Sequence, residues 1–256
     1  RNTALRYFAE LSYLGTRYSG WQSQPEGQGL GIQQVVSEAL GTIMRCNMTV
    51  TGAGRTDAGV HAEKIFAHFD TGMPIEDPGN LCRRLNSLLP ADIAVKRIFP
   101  VRDDAHARFS AVMREYKYRI NTSKDPFRTD TSYYFYHKLD AAPMNRACAM
   151  LMEYEDFQCF SKVHTDVKTF ICHIEYARWD ENPDGSLVFT IAADRFLRNM
   201  VRAIVGTMLD IGRGKMPPEK IRDIIESKDR CRSGMSAEAR GLTLTDVKYI
   251  WDDILP

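Results

Sequence analysis

Leu5, Tyr7, Ala9, Leu11 and Tyr13 alternate with more polar neighbours, the period-two pattern of a strand. A glycine-rich stretch, Gly15 to Gly31, follows as a loop. Ile32, Val35, Val36, Ala39, Leu40 and Ile43 then recur at helical spacing. Residues 48–52 and 62–69 read as strands joined by a turn over 53–61. Asp77 and Pro78 form a cap and first-turn signal for a helix that carries Leu81, Leu85 and Leu88 and that Pro90 ends. Residues 93–101 form another strand, so the first hundred residues run βαββαβ.

The same order returns downstream: strand 111–121, helix 144–154, strands 169–179 and 187–193, helix 196–211 and strand 242–251, with an extra helix over 218–227. This pattern predicts an α+β protein of two similar βαββαβ halves, with antiparallel sheets, helices on one face and a central active-site cleft. The expected boundary falls after residue 104. Residues 1–104 form the half carrying an aspartate turn, and 105–256 the half carrying a candidate tyrosine and a basic helix. The two halves share no visible sequence repeat.

Composition narrows the class. The chain has 256 residues, 44% hydrophobic and 26% charged, enough for a full core and unlike collagen or a disordered chain. The apolar runs are short, as where Arg202 interrupts Met200 to Ile204, and none approaches the roughly 20 residues that span a bilayer. The first residues carry no apolar leader region, so a cytoplasmic address is expected. Cys46, Cys82, Cys148, Cys159, Cys172 and Cys231 contain no C-x-x-C pair and read as buried reduced thiols. The six histidines lack ligand spacing, so no metal is expected. Net charge is only +1, yet Arg195, Arg198, Arg202, Arg213 and Lys215 lie within one stretch that holds a single acid, Asp210. Such a stretch suits a groove for a polyanion.

The most informative run is Gly52-Ala53-Gly54-Arg55-Thr56-Asp57-Ala58-Gly59-Val60-His61. It approaches a dinucleotide fingerprint until Asp57 stands where the last glycine is needed, and a carboxylate there repels a pyrophosphate. What remains is a tight turn between strands that presents a carboxylate beside Arg55, an arrangement suited to a nucleophile or base. An ordinary Asx-type turn with a surface ion pair is the plain structural alternative.

Further motifs give the turn its context. Tyr13-Leu14-Gly15-Thr16-Arg17-Tyr18-Ser19-Gly20-Trp21-Gln22, the Gly54 to Ala62 run, Leu85 to Pro90, Ala107-Arg108-Phe109-Ser110-Ala111 with Arg114-Glu115-Tyr116-Lys117-Tyr118, and Phe196 to Arg202 closely resemble the TruA family of tRNA pseudouridine synthases. The resemblance runs from about Tyr7 to Tyr249. Leu14 departs from it, standing where the family usually has Asp.

The resemblance implies isomerisation of uridine to pseudouridine in the anticodon arm of tRNA, at tRNA positions 38, 39 and 40, by a homodimer. It gives Asp57 as the nucleophile, Tyr116 as the residue stacking on the target uracil, and Arg55 as the side chain entering the space of the flipped nucleotide. It also gives Arg202 as a partner of Asp57 and Leu242 as a lining residue of the uracil pocket. The chemistry agrees independently: breaking the glycosidic bond, turning the base and joining C5 to C1′ is redox-neutral and needs one carboxylate and no cofactor. Addition to base C6, addition to sugar C1′ and removal of a sugar proton all remain open routes for Asp57.

Each residue also has a plainer reading. Tyr116 and Tyr118, which alternation places on one face with Val112, Arg114 and Ile120, suit core aromatics of a half-buried strand. Arg198 and Arg202, four apart on the expected helix, suit a solvated face contacting phosphates. Arg55 suits a simple partner to Asp57, Leu242 any strand leucine, and Trp21 the core. Two other functions compete. An RNA-binding domain shares the βαββαβ topology but would carry a Lys/Arg-Gly-aromatic run, which is absent here. A glycoside hydrolase needs two carboxylates, and the nearest acid to Asp57 in sequence, Glu63, falls on the following strand.

Overall fold

In the computed structural model, which describes residues 4–256, β1 (Leu5–Tyr13) is flanked on both sides, by β3 (His61–Thr71) and by β4 (Ile93–Val101), each antiparallel. That central position explains why both faces of β1 are dry. Phe8 and Glu10 are buried along with Tyr7, Ala9 and Leu11, and the Glu10 carboxylate is met by Arg97 from β4 at 3.0 Å. A buried carboxylate without such a partner would be strongly unfavourable.

Between β1 and β3 run α1 (Ile32–Met44) and β2 (Thr51–Gly52). The strand expected over 48–52 is therefore only two residues long. The Val50 N–H donates to Ser37 Oγ at 3.1 Å and its carbonyl accepts from Gln33 Nε2 at 2.8 Å. Side chains of α1 satisfy that backbone, and no ladder is needed. β3 is longer than the expected 62–69 because β1 pairs along it from Ala62 to Thr71. α2 (Pro78–Leu88) starts at an Asp77 cap whose carboxylate accepts from the Asn80 N–H at 3.0 Å. Leu81 and Leu85 are buried, but Leu88 is exposed, and Leu89 closes the core in its place.

The second part comprises β5 (Ala111–Asn121), β6 (Tyr133–Tyr134), α3 (Ala141–Leu151), β7 (Ile174–Glu181), β8 (Leu187–Ala193), α4 (Met200–Gly212), α5 (Lys220–Ser227), β9 (Leu242–Tyr249) and α6 (Trp251–Ile254). β8 pairs antiparallel with both β5 and β7. The short β6, which the hydrophobic pattern does not reveal, pairs parallel with β5, so the pairing is mostly rather than wholly antiparallel. α3 starts three residues before the expected 144 because Asp140 caps it, accepting from the Ala142 N–H at 3.2 Å.

α4 begins at Met200, not at 196. Asn199 sits in the left-handed region at φ 67°, which stops helical backbone from continuing towards Phe196. Arg198 is therefore outside the helix, exposed, with its carbonyl accepting from Lys162 N–H at 3.0 Å. The expected pairing of Arg198 and Arg202 on one helix face does not exist. β7 likewise starts at Ile174 rather than 169, and Trp251, expected in the last strand, opens α6.

The chain forms two compact units, one running to Val112 and completed by Leu244–Pro256, the other Met113–Thr243. A single boundary after residue 104 differs from this division. β9 follows β3 in the first unit's order β4-β1-β3-β9, and Lys64 of β3 reaches Asp246 of β9 at 3.9 Å. Tyr249 and Trp251 then pack edge-on against Phe66 at centroid distances of 5.3 and 5.4 Å. In the second unit α4 is buried along most of its length, and Trp179 stacks on Phe189 at 5.0 Å. All six cysteines are free thiols. Four are buried as expected, but Cys46 and Cys231 are exposed, because Cys46 lies in a bend just past the end of α1 and Cys231 in a single 3-10 turn, Arg230–Arg232, past the end of α5. No helix among the described residues is long and apolar enough to cross a membrane.

Candidate active site

The Asp57 turn leaves the sheet at Gly52 and returns at His61, and the Gly15 to Gly31 loop lies against it. Every glycine of that loop that touches the turn has a spatial reason. A Cβ at Gly15 would lie 1.9 Å from the Val60 carbonyl oxygen, and one at Gly20 2.1 Å from that of Thr56, where φ is also 89°. Gly52 faces the Trp21 indole, which would lie 2.4 Å from any Cβ there. Trp21 is a core residue, 2% exposed.

Hydrogen bonds complete the brace. The Gly15 N–H donates to His61 Nδ1 at 2.8 Å, the Gly59 N–H donates to the Tyr18 carbonyl at 3.3 Å, and the Tyr13 and Thr56 hydroxyls lie 2.8 Å apart in a buried contact. The Val60 N–H closes the turn on the Asp57 carbonyl at 3.1 Å, and Gly59 takes φ 81°. Thr56 is buried, Asp57 is half-buried, and Arg55 and Ala58 are exposed. The turn thus holds a carboxylate at the surface by residues on either side of it. Gly54 differs from the other glycines, since a Cβ there would meet nothing within 4 Å.

The remaining candidates lie in the second unit. Tyr116 is half-buried on β5, its ring edge-on to Phe196 at 5.2 Å and 84°. Arg114, two residues earlier on the same face, donates to the Asp194 carbonyl at 2.8 Å. Tyr118 is wholly buried and donates its hydroxyl to the Glu238 carbonyl at 2.7 Å. Burial pushes its phenol well above the ordinary tyrosine range. It is a core aromatic, which separates it from Tyr116 even though both share one side of the strand.

Arg202, half-buried in the first turn of α4, donates from Nε to the Ala237 carbonyl at 2.8 Å, while the Ala237 N–H donates to the Arg202 carbonyl at 3.0 Å. That reciprocal pair ties α4 to residues 230–237. Gly206 and Gly234 allow the approach, since a Cβ on Gly206 would lie 1.6 Å from the Met235 carbonyl oxygen. Leu242 is 5% exposed, next to Gly241, whose missing Cβ gives room to the Tyr118 ring.

Within the basic stretch, Arg195 donates to the carbonyls of Thr169 and Ile171 at 3.0 and 3.1 Å, and the Arg213 guanidinium lies 6.0 Å from the Phe135 ring centre. The structure thus gathers Thr56, Asp57 and Arg55 with Tyr13 in one unit, and Tyr116, Arg202 and Leu242 in the other. Tyr13, Thr56 and Phe196 gain partners that residue types alone did not reveal, because each partner is distant in sequence. Their only signal was membership of the quoted motifs.

A family model described as tRNA pseudouridine synthase matches residues 9–110 and 147–250. The chain is 52% identical over 244 residues to tRNA pseudouridine synthase A of Parabacteroides distasonis, covering 95% of this chain and 96% of that one. It is 52% identical over 248 residues to tRNA pseudouridine synthase A of Porphyromonas gingivalis, covering 95% and 97%. With that of Bacillus subtilis identity is 38% over 250 residues, covering 96% and 99%. The matched segments contain the braced aspartate turn and the α4 arginine, and the chain belongs to the tRNA pseudouridine synthase family.

Proposed function

We propose that the protein converts uridine to pseudouridine in the anticodon arm of tRNA, with Asp57 as the nucleophile. The observation that carries this reading is the braced turn: a half-buried carboxylate flanked by the buried Thr56 and the positive-φ Gly59, between strands that fix its direction. Such fixing suits a group that must attack one atom of an extruded nucleotide, since a reacting pair held in position converts an encounter into a near-unimolecular step. The exposed Arg55 beside it suits a side chain that fills the space the nucleotide leaves.

Tyr116 stacks on the uracil in this reading, replacing base stacking worth a few kcal/mol. Arg202 partners the Asp57 carboxylate and Leu242 lines the base pocket. The reaction is an isomerisation with no net redox change, so it calls for neither cofactor nor metal. The enzyme works as a homodimer in the cytoplasm. Apart from the added β6 and α5, the orders β1-α1-β2-β3-α2-β4 and β5-α3-β7-β8-α4-β9 support an origin of both halves in one βαββαβ plan.

The test is incubation with tRNA tritiated at uracil C5, because joining C5 to C1′ expels that hydrogen. Wild-type protein releases tritium. Asp57→Asn, nearly isosteric but a poor nucleophile, releases none and binds tRNA within a few-fold of wild type, since phosphate contacts dominate affinity. Turnover by Asp57→Asn removes Asp57 from the nucleophile role.

A further inference from the structure

The Ala107-Arg108-Phe109-Ser110-Ala111 run holds a large apolar side chain outward. Phe109 is 76% exposed. A single exposed phenylalanine is ordinary, but the turn beneath this one is rigidly specified. The His106 N–H donates to Ser110 Oγ at 2.9 Å, and the Ser110 N–H donates back to the His106 carbonyl at 2.9 Å. His106 Nδ1 faces the Arg108 and Phe109 N–H groups at 3.1 and 3.2 Å.

The flanks are anchored too. Ala107 N–H donates to His68 Nδ1 at 3.0 Å, Arg6 donates to the Ala105 carbonyl at 2.8 Å, and Tyr249 donates its hydroxyl to the Ala107 carbonyl. Ala105 and Ala107 are fully buried, as pegs that seat the turn. On this base the Phe109 ring stacks on the His106 imidazole at 4.3 Å and 29°, with the Arg108 guanidinium 5.6 Å from its centre. The result is a fixed aromatic step with one cation against it.

We propose that Phe109, backed by His106 and flanked by Arg108, is a stacking platform for a base of the RNA substrate. The proposal rests on the tRNA reading above and extends it to a second contact. A π-face beside a cation fits a nucleotide: the ring takes the base, and the guanidinium takes the phosphate or adds a cation–π contact. Rigidity suits this role, because an aromatic already held in place loses little freedom on binding.

His68, which seats the turn, lies seven residues along β3 from His61 at the end of the Asp57 turn, roughly 23 Å at the rise of a strand. The base met here is therefore a different nucleotide from the uridine being isomerised, several nucleotides away along the RNA.

Phe109→Ala and Phe109→Trp are measured together for tRNA dissociation constant, KM and kcat in tritium release, thermal stability and oligomeric state. Phe109→Ala raises the dissociation constant and KM by about 5- to 150-fold, the loss of one stacked base. It leaves kcat within about two-fold and stability unchanged. Phe109→Trp binds like wild type, and its added indole emission is quenched when tRNA is mixed in; the native Trp21 and Trp179 are buried and Trp251 is half-buried, so the signal is read as the difference from wild type titrated in parallel.

Wild-type affinity and KM in Phe109→Ala, or an unquenched added indole, overturn the platform. A change of oligomeric state in Phe109→Ala overturns it as well, by assigning the ring to contact between copies. Absence of tritium release from the wild type would instead defeat the enzyme reading, while quenching by tRNA would still report the platform.

Discussion

The Tyr13 and Thr56 hydroxyls meet at 2.8 Å inside the protein, joining the end of β1 to the residue before Asp57 across 43 positions of sequence. Because Thr56 is buried, its hydroxyl needs a partner, and the partner fixes the direction in which the next residue leaves the core. Tyr13→Phe removes that partner. Unfolding free energy falls by about 1 kcal/mol, and single-turnover tritium release slows at least several-fold while tRNA affinity is kept. Unchanged single-turnover rates would show that Thr56 does not position Asp57.

Glycines of the same region behave oppositely on substitution. Gly20→Ala places a Cβ 2.1 Å from the Thr56 carbonyl oxygen at φ 89°, so it destabilises the fold by on the order of 2 kcal/mol. Gly54→Ala meets nothing within 4 Å and leaves stability within about 0.5 kcal/mol of wild type. A Gly54→Ala protein of normal stability that loses tRNA turnover would mark Gly54 as a point of close approach by RNA. Thermal unfolding of both variants, beside tritium release, checks the contrast.

Tyr116 packs edge-on to Phe196, and substitution can test its ring and its hydroxyl separately. Tyr116→Phe keeps the ring contact and binds tRNA normally. If the phenol moves a proton during the sugar-side chemistry, its single-turnover rate drops roughly 10²–10⁴-fold. Tyr116→Ala loses about 1–3 kcal/mol of base contact. Wild-type kinetics in Tyr116→Ala would return Tyr116 to the status of a strand aromatic.

Stability carries a histidine signature. His68 is buried and accepts from the Ala107 N–H, and burial, with the nearby Arg6 and His106, lowers its pKa to about 4, Asp70 opposing. In the unfolded chain it titrates near 6.5. Between these values the unfolded state binds more protons, so the contribution of neutral His68 is complete above about pH 6.5 and is lost as pH falls towards 4. His106, also lowered, adds in the same direction. The His68→Gln variant, whose amide oxygen still accepts from Ala107, has a flatter dependence of unfolding free energy on pH over that window. Equal slopes for variant and wild type would exclude His68 as the titrating group.

Several elements were legible without the fold. β4, β5 and β8 match their hydrophobic patterns residue for residue, and Asp77 with Pro78 marks the start of α2, because alternation and capping are local and act whatever surrounds them. The aspartate turn was also legible: its glycines and its position between two strands limit the backbone to a tight reversal.

Other features depended on partners far along the chain. β2 shrank to two residues because α1 side chains took the hydrogen bonds of Val50. α4 started late because Asn199 turned left-handed. β9 joined the sheet of the first unit, so that unit is not one continuous stretch of chain. Tyr116 and Tyr118 are alike in spacing, yet only the packing of Gly241 and Glu238 made Tyr118 core. Phe109 looked like any apolar residue until the bonds of His106 and His68 fixed its turn and left the ring in solvent. Patterning determines which residues seek burial; which of them find it is decided by tertiary contacts, such as Ala107 with His68 and Tyr118 with Glu238, that local periodicity does not encode.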